Sequence, residues 1–332
     1  MKRIFPDSAR RFFHGLFAAA LLALFAAAPA RAEDAPEKSE KLERLRVVAT
    51  FSILADMTRA VGGDRVEVHT LIGPDSDAHA WRPSPRDSRA LARAKLVVAN
   101  GLGFEGWIDR LIASTGFRGA LLVASRGVKT RPFKNGGSDP RDRQSQRQLG
   151  KTRPFKNGGS DPHAWLDLSN AVVYVDNIAS ALAVEDPRGK DTYFENASRY
   201  KSEISRLDAE IRRRFDAIPP TRRKAVASHD AFAYFAGAYG VEFISPLDAA
   251  GNEPSARDVG RIIYRVRNEK IPAVFLENIS DPRMLERIRA ESGAKMGGAL
   301  YSDALSGKDG PAATYLDLMR HNAETIARAL SD

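Results

Sequence analysis

The 332-residue chain predicts an α/β protein of two lobes, each with a four-stranded, mostly parallel sheet flanked by helices, joined by one long helix. Three observations lead there. Between Arg46 and Ala124 short β-rich runs alternate with helical stretches, and from Ala225 to Leu330 the same alternation starts again. Between these halves lies a long periodic run, in which Ala197, Tyr200, Ile204, Leu207, Ile211, Phe215 and Ile218 recur at spacings of three or four and make one apolar stripe.

Taken in order, residues 1–32 read as a secretory signal to be set aside. Lys2, Arg3, Arg10 and Arg11 form a basic start, Phe12–Ala28 an apolar stretch, and Ala30-Arg31-Ala32 a small-x-small cleavage site. A soluble, exported protein cleaved near Ala32 is expected. The first lobe, 33–188, contains strands over Arg46–Phe51, Arg65–Ile72, Lys95–Asn100 and Ala120–Ala124. Its helices fall over Ile53–Val61, Pro85–Ala94, Phe104–Ser114 and Leu168–Ala183. Gly62-Gly63-Asp64 and Gly73-Pro74-Asp75 punctuate it as turns. Residues 189–217 form the linking helix, roughly 43 Å long if fully helical, and Pro219-Pro220 stops it. The second lobe, 218–332, has strands over Ala225–Ser228, Val241–Ile244, Ala273–Glu277 and Lys295–Tyr301. Helices follow over Ala231–Ala238, Ser255–Asn268, Pro282–Ser292 and Ala312–Leu330, with Ser255 and Asp281 as N-caps.

One loop departs from this order. Lys129–Pro140 recurs identically as Lys151–Pro162, and neither copy has an apolar face to stack. A duplicated, flexible surface loop over 129–160 is expected. It also accounts for much of the net charge of +9: residues 129–162 carry nine Lys/Arg against three Asp, and the leader five against Asp7. The remaining body is close to neutral, which disfavours nucleic-acid binding. The absence of cysteine removes disulfides, thiolate metal sites and thiol catalysis together.

Chemistry concentrates at strand ends. Asp161-Pro162-His163-Ala164-Trp165-Leu166-Asp167 follows the polar loop and precedes a helix. Asp77-Ala78-His79-Ala80-Trp81, Ser228-His229-Asp230 and Tyr301-Ser302-Asp303 each place a His or Asp just after a predicted strand. In an open parallel sheet ligands bind beyond the carboxyl ends of the strands. Three imidazoles and one carboxylate, His79, His163, His229 and Asp303, make the ligand set of a closed divalent-metal site. Blander roles stay open at this point. His229-Asp230 could be a hydrogen-bonded pair without a metal, Asp303 a turn residue, and Trp81 and Trp165 core. His69, inside a strand, and His321, on the last helix, read as structural.

Further stretches carry a likeness. Val48-Ala49-Thr50-Phe51-Ser52-Ile53, Pro83-Ser84-Pro85, Asn100-Gly101-Leu102-Gly103-Phe104-Glu105-Gly106-Trp107, Ala231-Phe232-Ala233-Tyr234-Phe235 and Glu253-Pro254-Ser255 accompany the motifs above, in order along the chain. Together they resemble the TroA-like (cluster A-I) zinc/manganese solute-binding proteins of ABC importers. The resemblance implies two lobes bridged by a rigid helix, with metal in the cleft on positions matching His79, His163, His229 and Asp303. Manganese members tend to have a carboxylate at the third of these positions, where this chain has His229. Three imidazoles and one carboxylate suit Zn²⁺ better than Mn²⁺, which prefers oxygen. Many zinc members carry a histidine-rich loop before the second ligand, whereas residues 129–162 contain no histidine. The basic loop is therefore read as a surface for an acidic metallochaperone or permease rather than as a metal gatherer.

The expected function is capture of Zn²⁺ in the periplasm by a monomer and delivery to an ABC permease in the inner membrane, with no enzymatic activity. Three rivals stand beside it: a Mn²⁺-binding member of the same group, a zinc metallohydrolase using Asp303 or Asp230 as base, and a surface adhesin. No His-Glu-x-x-His motif supports the hydrolase.

Overall fold

Two parallel four-stranded sheets of matching strand order are joined by one long helix. The computed structural model describes residues 43–78, 81–132, 159–247 and 254–331, which lie in one compact unit, Leu42–Asp332. The leader, His79 and residues 133–158 of the duplicated loop lie outside the described residues.

In the first sheet, β1 (Leu45–Phe51) pairs with β2 (Val66–Ile72) and β3 (Leu96–Ala99), and β3 pairs with β4 (Ala120–Val123), giving the order β2-β1-β3-β4. All pairs are parallel. The inner strands read as unbroken apolar runs, Val47-Val48-Ala49 and Leu96-Val97-Val98-Ala99, all buried, as strands covered on both faces must be. Helices α1 (Ser52–Gly62), α2 (Pro85–Arg93) and α3 (Ile108–Thr115) connect them. A reciprocal Ser84–Asp87 capping box with Pro85 in the first turn starts α2.

The helix predicted from Phe104 begins only at Ile108. Gly101, Leu102 and Gly103 all have positive φ. The Glu105 carboxylate accepts the backbone N–H groups of Asn100 and Gly101 and the Thr50 hydroxyl. Its side chain thereby takes backbone donors in a tight turn, and the helix follows after it.

Helix α4 (Leu168–Glu185) and the 27-residue α5 (Lys190–Asp216) pack side by side. The apolar stripe of α5, from Tyr193 through Phe215, is buried throughout. It lies against α1 and α4 on one side and against α6 (Ala233–Tyr239) and α9 (Tyr315–Ser331) on the other. The second sheet runs β6-β5-β7-β8, also all parallel, from β5 (Lys224–Val226), β6 (Glu242–Ile244), β7 (Ala273–Glu277) and β8 (Lys295–Leu300). Helices α7 (Ala256–Asn268) and α8 (Arg283–Ser292) cover its outer face.

Strand β5 stops at Val226, short of the predicted Ser228, but the chain stays beside the sheet through an isolated parallel bridge between His229 and Leu247. Helix α9 starts at Tyr315 rather than Ala312. Thr314 ends the preceding turns by accepting the Asp317 N–H and donating its hydroxyl to the Asp317 carboxylate.

One buried core runs from the first sheet through α4 and α5 to Phe232, Phe235, Phe243 and Tyr315 in the second lobe. A smaller cluster under α7 and α8 includes Val226, Ile263, Val274 and Leu285. In each sheet the chain reverses direction of growth between the two inner strands. Ligands of open parallel sheets bind at the carboxyl ends of the strands, the ends after which His163, His229 and Asp303 stand.

Candidate metal centre

His163, His229 and Asp303 converge, with one donor atom from each lying within 4.8 Å of the others. All three are buried, His163 and Asp303 completely. Asp303 Oδ1 lies 3.3 Å from His163 Nε2, and Asp303 Oδ2 lies 3.5 Å from His229 Nε2. A tetrahedral ion with bonds of about 2.0–2.1 Å needs donor atoms roughly 3.3 Å apart. The spacing is therefore that of ligands around a small cation. His79, the fourth sequence candidate, lies outside the described residues.

His163 is set by its own loop. Its backbone N–H and its Nδ1 both meet Asp161 Oδ1, at 2.9 and 2.7 Å. The flanking carbonyls are held as well: Asn100 Nδ2 donates to Pro162 O, and the Tyr234 hydroxyl donates to Asp161 O, each at 3.0 Å. Asn100 is itself oriented by the Tyr174 hydroxyl, which donates to its Oδ1. After one tight turn, Ala164–Leu166, Asp167 caps α4. Trp165 is fully buried among Phe51, Phe104 and the His163 ring, with centroids 5.0–5.3 Å away. It both fills core and backs the site. Trp81, half-buried, packs on Trp107 instead.

His229 is set from another strand. Its backbone N–H donates to Glu277 Oε1 at 3.0 Å, and its Nδ1 lies 2.7 Å from Glu277 Oε2. Glu277 ends β7, the neighbour of β5 at the switch point. Both histidines thus repeat one arrangement: a carboxylate holds Nδ1, and Nε2 is left to face Asp303. This arrangement fixes the ring and its tautomer and raises its basicity as a ligand.

The electrostatics follow. Burial alone would lower the His163 ring, but the carboxylates of Asp303 and Asp161 overcome it and hold the ring up at about 9. Burial is likewise outweighed at His229, where Glu277 and Asp303 hold the ring well above its ordinary value. Burial would raise Asp303, yet the two rings keep it well below the usual carboxylate range. Glu277 is lowered too, His229 overcoming its burial. The carboxylates that favour protons on the two rings also favour a cation between them. A dication can take the place of two such protons at the same point, which is what a site for M²⁺ requires.

The histidines set aside in the sequence have structural partners. His69 Nε2 meets Asp87 Oδ1 at 3.0 Å, and His321 Nε2 meets Ala299 O at 3.0 Å. Sequence reasoning missed Glu277 and gave no role to Asn100 and Tyr234, which stood in the quoted stretches. Glu277 did carry a signal, a lone carboxylate closing an otherwise apolar strand, Ala-Val-Phe-Leu-Glu. Asp161 stood in the motif but was given no role.

Residues 47–329 match the family model described as the periplasmic zinc-uptake complex component A, ZnuA. The iron-binding protein YfeA of Yersinia pestis is 33% identical over 90% of this chain and 90% of its own. PsaA of Streptococcus pneumoniae, a manganese ABC transporter substrate-binding lipoprotein, is 29% identical over 87% of this chain and 90% of its own. Among solved structures, the periplasmic zinc binding protein TroA of Treponema pallidum superposes with a TM-score of 0.75 at 26% identity. That match covers 87% of this chain and 99% of TroA.

Proposed function

From the premise that the chain belongs to the ZnuA family of periplasmic metal-binding components of ABC importers, we propose that its cargo is Zn²⁺. The ion is held by His163, His229 and Asp303, with His79 as the fourth ligand, and is handed to an inner-membrane permease. The proteins it resembles are substrate-binding components rather than enzymes, and the chain shares that role. Among the described residues no helix is long and apolar enough to cross a membrane.

The observation that carries the choice of metal is the paired Nε2 donors. Each ring is oriented by a buried carboxylate on Nδ1, and the two bracket Asp303. A nitrogen-rich, four-coordinate set favours zinc over the harder, oxygen-preferring Mn²⁺. A second reading, manganese or iron, has the names of YfeA and PsaA in its favour.

The test is metal content of the purified protein together with competition titration against a chelator. Zinc should displace Mn²⁺ and Fe²⁺. Replacing His163, His229, Asp303 or His79 by alanine should each weaken zinc by about 10²–10³-fold, one ligand's share of the roughly 10–16 kcal/mol of a structural zinc site. Manganese or iron in place of zinc in protein purified from cells supplied with all three metals would establish the second reading in place of the first.

A further inference from the structure

We propose that Asp75, on the loop after β2, is a positioning residue that keeps the Asp303 segment fastened to the first lobe and so slows metal release. The inference rests on the reading above, that Asp303 and the two histidines hold the ion.

Asp303 follows β8, a strand of the second sheet, yet the chain around it is bonded to the first lobe. The Ser302 carbonyl accepts from Trp165 Nε1 at 2.9 Å, and the Leu305 N–H donates to Ser52 Oγ at 2.9 Å. The Tyr315 N–H donates to Asp56 Oδ2 at 2.8 Å, and the Tyr315 hydroxyl to the Trp165 carbonyl at 2.6 Å. Trp165, Ser52 and Asp56 all precede the linking helix. The Asp303 segment is therefore held from both lobes, by these bonds to the first, beside His163, and by the Tyr301–Asn322 pair to α9. His229, oriented by Glu277, rides on the second sheet.

Asp75 touches both parties. Its N–H donates to the Leu305 carbonyl at 2.9 Å, and its Oδ2 accepts the Gly307 N–H at 2.9 Å. Its Oδ1 accepts from Asn278 Nδ2 at 3.0 Å, and Asn278 is the residue after Glu277. One side chain thus ties the segment carrying Asp303 to the strand end that orients His229. It also does so from the loop that leads to His79, four residues on. The backbone at Asp75 has φ +50, a left-handed conformation that Asp and Asn tolerate better than other residues with a Cβ. Departure of the ion by movement of the second sheet away from His163 and Asp303 has to break the Asn278 contact. Loosening of the Asp303 segment itself has to break the contacts to Leu305 and Gly307.

The experiment compares the full chain with Asp75→Ala, Asp75→Asn and Asn278→Ala. Zinc release is followed by stopped-flow mixing with excess chelator, and metal-free melting is recorded alongside. Asp75→Ala is expected to speed release about tenfold, the effect of losing two hydrogen bonds to a carboxylate at an exposed position. Asp75→Asn, which suits the same backbone and keeps one acceptor oxygen, should fall between it and wild type. Asn278→Ala leaves the loop backbone untouched and should also speed release. The visible spectrum of Co²⁺-loaded Asp75→Ala should shift as Asp303 is repositioned, a signature that a general loss of stability does not produce. If wild type takes up zinc while all three variants release it at the wild-type rate with an unchanged Co²⁺ spectrum, the role of Asp75 is refuted and the metal reading stands. If wild type takes up neither Zn²⁺ nor Co²⁺, both fall.

Discussion

His163 and His229 present the same atom to the same carboxylate, but they are built by opposite means. His163 receives its orienting carboxylate from two residues upstream, within one tight loop, and Asp161 holds both its ring and its backbone N–H. His229 receives its carboxylate from Glu277, 48 residues away on the neighbouring strand. The first is a local turn that forms wherever the loop is ordered. The second exists only once β5 and β7 are paired in register. The difference teaches that the two halves of the site have different dependencies. The His163 half stands on loop chemistry and the Trp165 core, and the His229 half stands on sheet assembly.

The sharpest way to break this comparison is to neutralise each orienting carboxylate. Glu277→Gln and Asp161→Asn should each weaken zinc binding by about 10–100-fold, the usual cost of losing a ligand's supporting partner. The Glu277 variant should sit at the upper end. Asn at 161 keeps an acceptor oxygen for the His163 N–H in the same turn, whereas Glu277 spans two strands. Competition titration of the two proteins measures the gap. Equal losses would show that the local turn gives no added resilience.

Proton competition sharpens it next. In the metal-free protein the His163 ring is raised from 6.5 to about 9. Its stabilising contribution is therefore complete below about pH 6.5 and is lost as the pH climbs through about 9. His229 is raised in the same direction. Metal-free protein should melt at progressively lower temperature over that window. Zinc affinity should rise over the same window, by up to about tenfold per pH unit for each proton displaced. Calorimetry at pH 7 in buffers of different ionisation enthalpy should count about two protons released per zinc, one from each ring. Asp161→Asn should reduce the His163 share, and Glu277→Gln the His229 share.

The smallest effect probes where the two supports meet. Tyr234, on the second lobe's α6, accepts the Arg131 N–H and donates to the Asp161 carbonyl, so the His163 loop is tied across the seam there as well as at Trp165. Tyr234→Phe should cost about 1 kcal/mol of stability, read as a shift of a few degrees in melting temperature. Zinc affinity should move little, because Asp161 still orients the ring. A large loss of affinity would mean that the His163 half also depends on the second lobe.

Much of this was legible in the chain itself. The alternation of strand and helix, the apolar stripe on the linking helix and the strand-end positions of His163, His229 and Asp303 are local patterns, and the fold turns them into two matching sheets with donor atoms of those three residues within 4.8 Å. Two helix starts shifted where a side chain captured backbone donors, Glu105 ahead of α3 and Thr314 ahead of α9. Propensity does not register such captures.

By itself, then, the sequence determined which elements form and which side chains stand at their carboxyl ends, because apolar periodicity and turn residues act over a few positions. Only the tertiary structure decided that Glu277 reaches His229, that Asp75 reaches Asn278 and Gly307, and that the chain around Asp303 is bonded to the first lobe. Those contacts depend on strand order and on how two lobes close against one another. No pattern of nearby residues encodes the distance between side chains that the fold brings together from opposite halves of the chain.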